Sequence, residues 1–396
     1  MKPISHIFLL LFLFVSSANF AGESDLIYFN SFEIPTNGNC TLTINPGTSF
    51  LTSLAGLVSG DTLCLNDGQY LQALDIPSGI TVQAVHDGMV EIDGGGTLGE
   101  QWTGGLVQMK GEGSQVRGLR VHHSHNNSDA CYVDGINNTM TVMSCSHGGW
   151  HKHKKPLTIH GEDHLIENSW FFGKGRYVVE CFKCRNVTIR HNVARWDITT
   201  DLTPSEPNAS FAIYNSSDIT IENNISIDYA LSTQEMRFGA DFYSPQNCSV
   251  WPEGNNYNHY LGNYSINHAL GNLNRKGLRL EADCTSIDNV VKDFYVKDSD
   301  YGIVISSKET GLILENCTFN AIAITDISGG GANANATCTG SADVGARYIN
   351  RIKVSNDLFP WSFEALIKRD MCAANERQSD WCLTNRTLSE YISDNL

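Results

Sequence analysis

Past its opening residues, the 396-residue sequence has no apolar run approaching the roughly 20 residues that a bilayer-crossing helix needs. A membrane span in the body of the chain is therefore not expected. No cysteine follows the apolar opening closely enough to carry a lipid. Positive charge is scarce: 27 Lys and Arg face 43 Asp and Glu, leaving a formal charge of −16. Such a molecule is repelled as a whole by nucleic acid and by anionic membranes. The Cys181-Phe-Lys-Cys184 spacing lacks a second half-site, so a local staple or two separately paired cysteines are expected there rather than a zinc or redox centre.

What is present at the start is a leader pattern: Lys2, an apolar run over Ile7–Val15, then the small residues Ser16, Ser17 and Ala18. This reads as a signal peptide over 1–18 and implies export to the extracellular space or the periplasm. The 12 cysteines all lie beyond it. An even number in an exported chain suits disulfides, and sequence neighbours make the first choices: Cys372 with Cys382, Cys40 with Cys64, Cys131 with Cys145.

A short phrase of alternating branched apolar residues ending in Asn or a substitute keeps returning. Instances are Val116–Val121, Met140–Cys145, His164–Asn168, Val187–Asn192, Ile219–Asn224, His259–Asn263, Ile287–Asp293 and Leu312–Cys317. With Cys145, Asn168 and Asn192 as corner markers the phrase returns about every two dozen positions, and Asp293 to Asn316 gives the same interval. A strand this short buries one face only when copies stack about 4.8 Å apart, so each repeat is one coil of a solenoid. The expected fold is all-β: a single right-handed parallel β-helix over 24–346. Asn suits the corners because its short amide tolerates left-handed backbone and can bond coil to coil. The Asn-X-Ser/Thr sequons at Asn186, Asn224, Asn263 and Asn316 are accordingly read as packing and turn residues, not as glycan acceptors. Longer intervals, from Asn192 to Asn224 and from Asn224 to Asn263, place loops at Asp197 to Asn208 and Ser232 to Asn256, where a solenoid builds a binding face.

The opening phrase Gly60-Asp-Thr-Leu-Cys-Leu-Asn-Asp-Gly68-Gln-Tyr70, followed by Ile80-Thr-Val and Val90-Glu-Ile-Asp-Gly-Gly-Gly96, resembles the first coils of secreted β-helix proteins of the pectate-lyase-like superfamily. The chain departs from the superfamily's enzymes elsewhere. The Trp-Ile-Asp-His and Pro-X-X-Arg segments of pectate lyases are missing, as are the Asn-Thr-Asp, Asp-Asp and Gly-His-Gly segments of polygalacturonases. Beyond Arg347 the repeat stops, and helical spacing at Leu358–Met371 and Leu388–Ile392 predicts a disulfide-tied helical cap over 347–396.

Residues 147–195 hold nine Lys or Arg against four carboxylates, and eight of the 13 histidines lie between 122 and 164. On stacked coils these would gather into a basic groove for an anionic, uronate-containing polysaccharide. Two glycines in Gly173-Lys-Gly-Arg-Tyr177 mark a tight turn that displays its side chains. Eliminative cleavage of a uronate needs a cation on the carboxylate, a base for the adjacent proton and a donor for the leaving oxygen. The expected catalytic set is Arg176 or Arg195 on the carboxylate, Lys174 as base and Tyr177 as donor, with Asp197 and Glu180 orienting them or holding Ca²⁺. Substrate contacts are expected from Trp150, His151, Lys152, Lys154, Glu180 and Arg190. Lysines flanking His147, His151 and His153 disfavour a metal shared with His122, His123 or His125, so no metal ligand is assigned. The reading is a secreted, monomeric polysaccharide lyase; its rivals are a non-catalytic glycan-binding, adhesin-like β-helix and a purely structural spine. A lyase gathers its set into one cleft, whereas a binder shows a strip of aromatics and cations.

Overall fold

The computed structural model describes residues 39–148, 151–197, 208–227, 240–249, 255–266, 276–281, 285–305, 308–326, 335–337, 363–373 and 381–395. All lie in one compact unit, Ile34–Leu396. The fold is the expected right-handed parallel β-helix with a small helical, disulfide-tied C-terminal cap. Each coil contributes a short strand, a sharp corner and then two further strands. Short strands stack into a 12-stranded sheet, most of the others into an 18-stranded sheet that bends into two faces, and Ser286–Ile287 pairs separately with Glu309–Thr310. Alternation explains the core: Val82, Val116, Met140, Ile166, Ile189, Ile221, Tyr260, Val291 and Leu314 occupy one register position on successive coils. All of them are buried, while their neighbours along each strand turn outward.

The corners confirm the chemistry expected of them and correct the register. Backbone φ is positive at Val142, Asn168, His191, Asn223, Gly262, Asp293 and Asn316. Immediately after the corner comes a buried polar ladder: Asn192 Oδ1 accepts from Ser169 N (3.0 Å), Asn224 Oδ1 from Asn192 N (3.0 Å) and Asn263 Oδ1 from Asn224 N (2.9 Å). Cys145 pairs with Phe171, so Cys145, Asn168 and Asn192 are not equivalent positions; the true counterparts of Asn168 are Val142 and His191. In the true register one coil separates Ser114 from Asn138 by 24 positions, and Ser169 from Asn192 and Asp293 from Asn316 by 23. The long steps stand where expected, 32 positions from Asn192 to Asn224 and 39 from Asn224 to Asn263, but most of both inserted loops lies outside the described residues. Asn224 and Asn263 are fully buried in the ladder, as packing residues should be.

The disulfides Cys40–Cys64, Cys131–Cys145, Cys181–Cys184 and Cys372–Cys382 are present as expected. At the N-terminal end the Phe50–Leu54 helix, capped by Ser49, lays Phe50 on Tyr70 with ring centroids 5.3 Å apart. The C-terminal Glu364–Met371 helix makes its described contacts along a flank of the stack. Asp370 takes Arg120 Nε (2.8 Å) and Trp170 Nε1 (2.8 Å), and the Met371 carbonyl takes Arg195 Nη1 (2.5 Å). Among the described residues, no helix is long and apolar enough to cross a membrane.

Candidate functional site

The outward positions of four neighbouring strands build one cleft. Strands Asp129–Val133, Leu157–Glu162, Tyr177–Arg185 and Ala209–Tyr214 stack in parallel register, bringing Tyr132, Thr158, Glu180 and Ala212 into line. A cleft of about 580 Å³ opens over them, lined by Asp129, Tyr132, Lys154, Lys155, Thr158, His160, Arg176, Tyr177, Glu180, Phe182 and Tyr214, with Trp102, Thr103, His151 and His153 on its walls.

The glycine phrase shapes its edge. Gly175 has φ +133°, and a Cβ there would stand 2.2 Å from the Lys154 carbonyl. Only glycine lets this turn nest so closely under the preceding coil. Arg176 N donates to the Lys152 carbonyl (2.7 Å) and its guanidinium lies over the Tyr177 ring, 5.2 Å from the centroid. Lys174, held by its N–H to the His147 carbonyl (2.8 Å), is exposed and does not line the cleft.

Charges alternate along the floor. Lys155 Nζ pairs with Glu180 Oε2 (2.5 Å), both buried, and Lys155 N donates to Asp129 Oδ1 (2.9 Å). Lys154 Nζ donates to the Trp102 carbonyl (2.8 Å) and lies 4.0 Å from Asp129 Oδ1. Burial raises the Asp129 carboxyl above the usual carboxylate range, with Lys155 and Lys154 pulling the other way. Burial likewise lowers the Lys154 amine, against the opposing pull of Asp129. His153 and His160 are pushed down, by burial first and with help from neighbouring cations that include Lys155. Burial drives the Tyr177 phenol upward, and its hydroxyl is enclosed with no hydrogen-bond partner. Near neutral pH the His153 and His160 imidazoles are thus neutral and the Tyr132 and Tyr177 phenols protonated. Along the cleft runs a strip of rings: Tyr132 to His160 (5.5 Å), His160 to Phe182 (5.6 Å) and Phe182 to Tyr214 (5.1 Å).

Neither a protein-family model nor a curated protein matches the sequence. Among solved structures the chain is similar to a pectate lyase, Pel9A, at 15% identity and TM-score 0.44, covering 77% of this chain and 81% of that one. It is also similar to a mannuronic acid specific polysaccharide family 6 lyase from human gut microbiota (15%, TM-score 0.46, 72% and 76%). A third is a polygalacturonase from Erwinia carotovora ssp. carotovora (11%, TM-score 0.49, 77% and 98%). At these identities the likeness is one of fold.

The structure brings together Arg176, Tyr177, Glu180, Lys154 and His151, and leaves Lys174, Arg195, Asp197, Lys152 and Arg190 out of the cleft lining. Arg195 is wholly buried on a different face, paired with Asp197 (3.1 Å) and the Met371 carbonyl. Glu180 and Asp197 therefore answer to different cations and share no Ca²⁺ position. Arg190 pairs with Glu167 (2.7 Å) on the 12-stranded sheet, Lys152 gives the cleft edge its backbone, and Trp150 lies outside the described residues. The basic cluster is divided because each coil has three faces, so cations on successive strands of one coil point in different directions. Lys155, Asp129 and the ring strip went unassigned in the sequence, although stacking places His160, Phe182 and Tyr214 on successive coils once the register is known. Trp102, reached through the Lys154 amine, carries no sequence signal for its place in the wall.

Proposed function

We propose that the protein is a secreted polysaccharide lyase that cleaves a uronate-containing chain in this cleft. The observation that carries the reading is the convergence of Arg176, Lys155, Lys154 and Tyr177 around one cavity on an otherwise acidic molecule. Arg176 neutralises the uronate carboxylate and so acidifies the neighbouring carbon-bound proton, with Lys155 held by Glu180 in the floor beneath. Lys154, whose amine burial has lowered, removes that proton. The bond from the next carbon to the glycosidic oxygen breaks as the ring double bond forms, and the departing oxygen takes its proton from water, because the Tyr177 hydroxyl expected to supply it is enclosed. The base thus moves from Lys174, which lies outside the cleft, to Lys154, a residue first expected only to bind substrate.

The test is incubation of the full chain with a panel of uronic-acid polymers, with and without Ca²⁺, following the ultraviolet absorbance of the unsaturated product. Lys154→Ala should lower kcat at least about 100-fold, while Lys174→Ala leaves it unchanged. A Lys174→Ala variant as damaged as Lys154→Ala would return the base to the turn. The ring strip from Tyr132 to Tyr214 favours a second reading, a glycan-binding β-helix without catalysis. Measurable glycan binding with no product from any polymer decides for it.

A further inference from the structure

Away from the cleft, three residues of the early coils converge. Asp93 ends the Val90–Asp93 strand and stands in register with His122, the last residue of the Leu119–His122 strand one coil later. His123 follows, with φ +53°, the left-handed conformation found at other corners of the coils. One ligand atom from each of Asp93, His122 and His123 lies within 4.8 Å of the other two. His123 Nδ1 is 3.1 Å from Asp93 Oδ1, and the two imidazole centroids are 4.3 Å apart.

The surroundings are those of a cation site. Gln69 Nε2 donates to Glu91 Oε1 (2.8 Å) and Asp93 Oδ2 (2.9 Å), and Gly95 N donates to Asp93 Oδ1 (2.8 Å), so both carboxylates are fixed from behind. Glu91 Oε1 is 3.1 Å from His122 Nε2, adding a second carboxylate beside the ring. Arg120 is the neighbouring cation, and it is shared with Glu91 (3.2 Å) and Asp370 (2.8 Å). No residue of this group lines the cleft.

We propose that Asp93, His122 and His123 form a binding site for a divalent transition metal ion of the zinc class. Two imidazoles and one carboxylate suit Zn²⁺ better than Ca²⁺, which prefers an all-oxygen set. Tetrahedral ligands of Zn²⁺ stand about 3.3 Å apart when bonds are about 2.0 Å. His123, 59% exposed, can turn the short way needed. Three protein ligands leave a position open to water or to an oxygen of a bound glycan. Unlike the lysines that argue against a metal at His151 and His153, the neighbouring Arg120 is tied to Glu91 and Asp370.

The untagged full-length protein, stripped with a chelator and dialysed, is titrated with ZnCl₂ by calorimetry, and with Co²⁺ while its visible bands are recorded. One Zn²⁺ per chain is expected, together with Co²⁺ bands of low-symmetry nitrogen and oxygen coordination. His123→Ala and Asp93→Asn should each weaken Zn²⁺ binding at least tenfold with an unchanged circular dichroism spectrum. A His151→Ala/His153→Ala double variant should bind Zn²⁺ as the parent does. Absence of saturable binding overturns the site, and so does binding that follows His151 and His153 instead. Because His123 is exposed, loss of fold is not expected from its replacement; should Asp93→Asn unfold, His123→Ala alone decides.

Discussion

His147 shows how one buried side chain couples the cleft's cations to stability. It is fully buried, its Nδ1 is 3.1 Å from Ser124 Oγ, and its Nε2 is enclosed without a partner. Burial, then Lys154 and other nearby cations, pushes its imidazole down from 6.5 to about 4. The folded protein keeps the ring neutral while the unfolded chain binds a proton below about 6.5, so stability is full above that value and falls as the pH drops toward about 4. The complete effect is on the order of 3 kcal/mol. Urea unfolding at about pH 7 and about pH 4.5 should show a smaller loss for His147→Asn, whose amide can keep the Ser124 contact, than for the parent. Equal losses would assign the acid sensitivity to another group. At this scale the sequence was legible in composition but not in direction. The concentration of His and cations between 122 and 195 was plain, and Arg176, Tyr177, Glu180, His151 and Lys154 do share the cleft. Arg195 and Asp197 look the same in sequence, yet Arg195 reaches the C-terminal helix, far away along the chain.

Among the elements, the turn between Trp170–Gly173 and Tyr177–Arg185 matters most, because it sets how Arg176 and Tyr177 meet Lys154. A methyl group at Gly175 meets the Lys154 carbonyl at 2.2 Å and demands φ +133° of an alanine. Gly175→Ala should cost more than about 1 kcal/mol, and it should weaken glycan binding or turnover beyond that, since the turn must lift away from the coil beneath. Denaturation together with glycan titration separates the two effects: a stable variant with unchanged binding would mean that the turn does not shape the cleft. The glycines flagged this turn in the sequence. The corner register, by contrast, was misjudged by a few positions, because Asn marks two adjacent places: the left-handed corner residue, as at Asn168 and Asn223, and the ladder residue after it, as at Asn192 and Asn224. A pattern of residue types cannot separate neighbours that favour the same amide for different reasons.

For the molecule as a whole the governing fact is a formal charge of −16 surrounding a cleft with Lys154, Lys155 and Arg176 inside it. A polyuronate approaching such a surface is repelled at long range and held only on contact. The Debye length falls from about 30 Å at about 0.01 M salt to about 8 Å at about 0.15 M. Salt over this interval removes most of the distant repulsion, whereas buried pairs at contact distance are screened much less. Stopped-flow binding of a uronate oligosaccharide should therefore show an association rate that rises with salt, opposite to a basic polyanion binder, and a dissociation rate that rises only modestly. Arg176→Ala should speed dissociation and leave the salt trend of association intact, because it removes one contact and barely alters the field of the whole. An association rate that falls steadily with salt would mean that the local positive cleft dominates the approach as well as the complex.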